Sequence, residues 1–131
     1  MNNVPTELRY ASTHEWARQD EDGTIVVGIS DHAQGSLGDL VFVETPEIDS
    51  AVSSGDPCAV VESVKAASDV YAPVAGTVID ANSQLQDAPE LVNTDPYGEG
   101  WIMRIRPDDA DALEELMDAD SYEHFISEED D

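Results

Sequence analysis

The chain has 131 residues, of which 30 are Asp or Glu and five are Lys or Arg, giving a formal net charge of −25 at pH 7. Hydrophobic residues make up 40% and charged residues 27%, so the amount of charge is ordinary for a globular protein and its sign is not. That balance argues against nucleic acid as a partner, because phosphate binding needs clusters of Lys and Arg, and the length suits one compact domain, taken as 1–131.

The first two-thirds read as short strands with turn punctuation. "ELRYAS" and "EWARQ" are extended, followed by the turn "DEDG" and the strand "TIVVGIS". Asp20, Asp22 and Gly23 share the start of a calcium-loop pattern, but the later ligand positions do not follow, so a hairpin turn is expected there. "SDHAQGSLGD" predicts a short helix, with Ser30 or Asp31 capping its start and Gly38 ending it. Strands follow at "LVFVET", "CAVVESV", "DVYAPVAG" and "TVIDAN", then a polar loop from Asn82 to Asn93 and a last strand at "GWIMRIRP".

Helical spacing is clear only at the end. Leu113, Leu116 and Met117 recur at i, i+3, i+4, as do Tyr122, Phe125 and Ile126, with Pro107 ahead of the first helix and Asp120 or Ser121 capping the second. Residues 127–131 are expected to be a frayed acidic tail. Many short strands with terminal helices predict a mainly β fold, a sandwich or barrel packed by a helical C-terminus.

The excess of carboxylates repels itself at low salt and is screened as the Debye length shrinks to about 3 Å at 1 M. With arginine kept at four positions and lysine at one, the expected setting is a salt-adapted cytoplasm. The start "MNNVPTELRY" has neither a basic stretch nor an apolar core, and no apolar run approaches a membrane span, so neither a signal peptide nor membrane insertion is expected.

Chemistry-bearing patterns are few. There is no phosphate-cradling Gly-rich run, no CxxC and no HExxH. His14, His32 and His124 show no metal spacing, although folding can bring His14 and His32 together. Cys58, the single cysteine, lies beside Ala59 and Val60 and reads as a small buried hydrophobe without an adjacent base to activate it.

Lys65, the only lysine, is different. Strand-like segments of similar length flank it, which places it at a tight hairpin tip projecting into solvent. An exposed ammonium is a poor nucleophile or base, so intrinsic catalysis is not expected. A tip lysine on a flexible four-carbon stem is instead well suited to acylation by another enzyme, the attached group then riding on a swinging arm.

The stretch "ESVKAASDVYAPVAGTV" resembles the lipoyl-attachment hairpin of the glycine cleavage H-protein family. The resemblance extends in order through "RYASTHEW" at 9–16, "VGISDHAQGSLGDLVFVETPE" at 27–47 and "LVNTDPYGEGWIMRI" at 91–105. It implies a flattened barrel-sandwich hybrid of two antiparallel sheets with C-terminal helices, and lipoate in amide linkage on Lys65. Glu62 and Ala66 match the attachment motif read by the lipoate-attaching enzyme.

The implied role is that of a carrier without turnover of its own, since the hard chemistry belongs to the cofactors. A pyridoxal-phosphate glycine decarboxylase would load an aminomethyl group onto the lipoyl arm. A tetrahydrofolate-dependent aminomethyltransferase would unload it, and dihydrolipoamide dehydrogenase would reoxidise the arm. By the same resemblance Thr13, Glu15 and Asp69 line a cleft for the loaded arm, with His32 beside them. The resemblance leaves open a relay donating lipoate to 2-oxoacid dehydrogenases. Biotin carriers flank their lysine with methionines, whereas Val64 and Ala66 stand here. A free-standing enzyme using Cys58 and a histidine is the competitor from another class. The chain departs from the family in its near absence of lysine.

Overall fold

The computed structural model describes residues 4–109 and 111–129. Among the described residues, nine strands form two antiparallel sheets. In chain order they are β1 (Arg9–Tyr10), β2 (Glu15–Gln19), β3 (Ile25–Ile29), β4 (Leu40–Glu44), β5 (Ala51–Val52), β6 (Pro57–Ser63), β7 (Ala67–Tyr71), β8 (Gly76–Ala81) and β9 (Met103–Pro107). The larger sheet has the order β1-β2-β3-β9-β8-β5, and the smaller is β4-β6-β7. Together they are the barrel-sandwich hybrid expected from the sequence.

Period-two alternation explains why β3 is buried along its whole length. Ile25, Val27 and Ile29 point into the main core with Ala17, Val43, Val61, Val78 and Ile105. Val26 points the other way with Trp16, into a second cluster closed by α4 (Ala119–Glu129) through Tyr122 and Ile126. Tyr10 anchors that cluster. Its ring stacks on Tyr122 at 4.5 Å between centroids, and its backbone exchanges hydrogen bonds of 2.8 and 2.9 Å with Met117.

Trp16 faces Gly28 across the β2–β3 pair and donates its indole N–H to the Pro96 carbonyl at 2.9 Å. A Cβ on Gly28 would lie 2.7 Å from the indole, which has no room to retreat. Gly28→Ala is therefore expected to cost about 1–3 kcal/mol, the usual penalty for overpacking a filled core. The measurement is an earlier urea midpoint at unchanged m-value.

Several local expectations meet a different outcome. The polar stretch after Asn82 is not a plain loop but holds two four-residue helices, α2 (Gln84–Asp87) and α3 (Leu91–Thr94), which bury Leu85 and Val92. Leu113, Leu116 and Met117 do not share one helix. Only a single 3₁₀ turn forms at Ala112–Glu115, and Pro107 ends β9 instead of preceding a helix. The start of α4 is held by Asp118, whose carboxylate accepts the Ser121 N–H at 2.9 Å, rather than by Asp120 or Ser121. Residues 127–129 continue α4 where a frayed tail was expected, and 130–131 lie outside the described residues. Among the described residues no helix is long and apolar enough to cross a membrane.

Candidate functional site

Lys65 stands at the tip of the β6–β7 hairpin, exposed to solvent. Tight hairpin turns usually rely on residues with positive φ. Neither Val64, Lys65 nor Ala66 has one. The Ser63 hydroxyl takes over, accepting the N–H groups of Lys65 and Ala66 at 3.1 Å each, while the Ser63 N–H reaches the Ala66 carbonyl at 2.8 Å. A side-chain oxygen thus organises the turn, a role serine fills well. Glu62, half-buried, stands opposite Phe42 on β4 and Ala67 on β7.

The lysine leans toward α1 (Asp31–Leu37), and its Nζ donates to the Ser36 carbonyl at 3.3 Å. Ser30 caps α1 by accepting the Ala33 N–H at 3.2 Å, and Gly38 ends it at φ 82°. That glycine also leaves space for the lysine stem, because a Cβ there would stand 3.2 Å from Lys65 Cε. Asn93 fixes the same corner. Its amide donates to Gly38 O at 2.8 Å and Gln34 Oε1 at 3.0 Å, and its oxygen accepts the Leu40 N–H at 2.9 Å. Only the block "LVNTDPYGEGWIMRI" signalled Asn93 in the sequence, since its local surroundings read as loop.

Beside the hairpin lies a cleft of about 290 Å³. Thr13, Glu15, His32 and Asp69, scattered along the sequence, all line it, and so do Ser36 and Ser68, which residue-level reading did not single out. The walls between them are apolar, formed by Ile29, Leu37, Val61 and Val70. Register distinguishes the two β7 polar residues. Ser68 pairs with buried, cleft-lining Val61, whereas exposed Asp69 pairs with Val60.

Glu15 is the unusual member. It is only 1% exposed, with Thr13 Oγ1 donating to one carboxyl oxygen and the Tyr71 N–H to the other at 3.1 Å. Burial strips water from the carboxylate and pushes its pKa up to about 7, against the lowering effect of those two donors. Between Thr13 and Glu15 the chain turns through His14 at φ 77°, held by His14 N–H to Ala11 O and Ser30 N–H to His14 O, both 2.9 Å. The His14 ring meets Tyr122 Oη at 2.8 Å and lies 5.0 Å from the His32 ring, so folding does bring these two histidines together.

Cys58 lies elsewhere, half-buried on β6 against Met103 and the Val70 carbonyl. Burial raises its thiol to about 12, away from the thiolate a nucleophile needs.

A β scaffold that presents one lysine on a stiffened tip, next to a cleft, has the layout of a carrier domain. The chain belongs to the glycine cleavage H-protein family, whose model matches residues 8–129. It is 64% identical to the glycine cleavage system H protein of Alkalilimnicola ehrlichii over 129 residues, 98% of this chain and 99% of that one. It is 60% identical to the H protein of Alteromonas mediterranea, over 98% of this chain and all of the relative. Among solved structures, the crystal structure of a glycine cleavage system H protein from Mycobacterium marinum superposes with a TM-score of 0.87 at 38% identity, covering 95% of this chain and 99% of that one.

Proposed function

We propose that the chain acts as one lipoyl-carrier unit of the glycine cleavage system in the cytoplasm, with lipoate in amide linkage to Lys65 and no turnover of its own. The observation that supports it most directly is the position of the only lysine, on a tip whose Nζ already reaches Ser36 at the cleft. The residues suit the group. The apolar walls match an aliphatic arm, and Thr13 and Glu15 supply a polar end for an amine, with Asp69 and His32 at the margin. Bound lipoate supplies the dithiol–disulfide chemistry that accepts an aminomethyl cargo and two electrons.

In this reading glycine decarboxylase loads the arm, the aminomethyltransferase unloads it to tetrahydrofolate, and dihydrolipoamide dehydrogenase removes the electrons. Glu62 and Ala66 present the tip to the attaching enzyme. Intact-mass analysis of protein from its native host tests the proposal. One lipoyl group per chain, localised to Lys65, is the expected result. Biotin there, or an unmodified protein that still sustains glycine cleavage, overturns it.

The surface charge carries a separate expectation. Arg104 and Arg18 reach Asp20, but five cations cannot compensate thirty carboxylates. Repulsion among the remainder should be screened as salt rises. Thermal midpoints should therefore climb steeply between about 0.1 M and about 2 M KCl, over which the Debye length falls from ~10 Å to below ~3 Å. Equal midpoints would mean that the acidity serves something other than salt adaptation.

A further inference from the structure

Four large apolar side chains stand out as exposed among the described residues, and three of them gather around the lysine tip. Val41, Phe42 and Val64 have 57, 46 and 71% of their surface in water, while the fourth, Ile48, sits in the β4–β5 connection. A register shift between Leu40 and Phe42 turns two consecutive β4 residues toward solvent, where regular alternation would hide one of them. Phe42 then stands directly opposite Glu62, and the Val64 N–H bonds the Asp39 carbonyl at 3.2 Å, so the three side chains share the Lys65 end of the small sheet. β4 is also an edge strand of that sheet, where exposed apolar residues invite aggregation. Carboxylates adjoin them in sequence and register, with Asp39 just ahead of β4, Glu44 at its end and Glu62 opposite Phe42.

We propose that Val41, Phe42 and Val64 form the docking surface for the enzyme that acylates Lys65, whose matching face is an apolar recess rimmed by Lys or Arg. This rests on the reading that Lys65 carries lipoate. In acylation the Lys65 nitrogen, having lost a proton, bonds to the carbonyl carbon of an activated acyl donor. The bond from that carbon to the activating group breaks and its electron pair departs with the leaving group. The nitrogen itself must therefore enter the enzyme's site, and a four-carbon stem keeps the tip within the enzyme's footprint. Later partners meet the far end of a longer arm and are not obliged to touch the tip. Val64, next to the target, is then necessarily covered, and burial of an aromatic neighbour is the kind of contact that dominates such interfaces. The neighbouring carboxylates set orientation against a basic rim.

The test uses unmodified full-length protein as substrate for the host's lipoate-attaching enzyme with an activated octanoyl or lipoyl donor. Phe42→Ser and Val64→Ser should each raise KM about tenfold with kcat near wild type, and Phe42→Leu should recover most of the loss. A small acetylating reagent should still modify Lys65, followed on its own peptide, at the wild-type rate. Dihydrolipoamide dehydrogenase should act normally on variants that have been fully lipoylated. Unchanged KM overturns the proposal. So does slower labelling by the small reagent, which would make the patch a support for the tip, or loss of a self-associated species in sedimentation, which would assign the face to a second copy. A wild-type chain that is not acylated on Lys65 at all refutes instead the reading beneath it.

Discussion

Lys65→Arg should yield a folded protein that takes no lipoyl group, and glycine cleavage reconstituted with it should not proceed. The chain contains no second lysine to substitute, so acylation of a side-chain amine has one address. Arginine keeps the charge and much of the stem, but its guanidinium stays protonated and does not attack an acyl donor. The fold has little to lose, because the side chain is exposed and its single hydrogen bond goes to an exposed backbone carbonyl. Such surface changes usually stay within about ±0.5 kcal/mol. The checks are intact mass, a thermal melt and the reconstituted reaction. A lipoylated variant would move the attachment site elsewhere.

Glu15→Gln should shorten the lifetime of the aminomethyl-loaded protein about 10- to 100-fold. In the cleft the carboxylate is buried and already oriented by Thr13 and Tyr71. A cationic amine brought against it favours the ionised carboxylate over the protonated acid and gains a charge-assisted hydrogen bond of roughly 1.5–3 kcal/mol, and about 1.36 kcal/mol corresponds to tenfold in rate. The amide fits the same space, with its oxygen on the Tyr71 N–H and its NH₂ toward Thr13, so the variant tests charge with little change of shape. Asp69→Asn should have the smaller effect, since that side chain is exposed and screened by water. Formaldehyde release after removal of the decarboxylase measures both.

The same burial makes a statement about pH. The folded protein holds the Glu15 proton up to about pH 7, against an ordinary value of 4.5. The folded state thus binds more protons than the unfolded chain between those values. The stability this contributes is full below about pH 4.5 and is lost as pH rises through about 7. Wild type minus Glu15→Gln should show that decline, whereas the general repulsion among surface carboxylates cancels in the difference. A flat difference across that window would mean that Glu15 is not desolvated in solution.

Where the sequence was legible, the signal was periodic or conformational. Short β-branched apolar runs in "TIVVGIS" and "CAVVESV" announced β3 and β6, and Gly38 marked the end of α1, with Ser30 the one of two cap candidates that the structure uses. The helices at 84–87 and 91–94 each span one turn, too short for an i, i+3, i+4 pattern to repeat, and Pro89 between them reads as a break. Asp118 is hard to read as a cap because it falls between the two apolar patterns at 113–117 and 122–126. The cleft was the least legible part. Thirty acidic residues make any one of them look like surface, and nothing local to "THEW" tells that Glu15 is enclosed. Its burial follows from long-range geometry, with the backbone of Tyr71 arriving from 56 positions away. Only the resemblance singled it out.

The stiffness of the hairpin turn has a kinetic consequence. With four hydrogen bonds centred on Ser63, the base of the arm is a braced pivot beside the cleft. A group tethered to such a pivot meets the cleft at an effective concentration set by the tether's length and stiffness, in the millimolar range for short flexible links. On the proposed carrier reading, sheltering of the cargo should then be first order and blind to how much protein is present. Diluting such a carrier should slow its meetings with every partner enzyme in proportion, while the waiting cargo should remain as well protected as before.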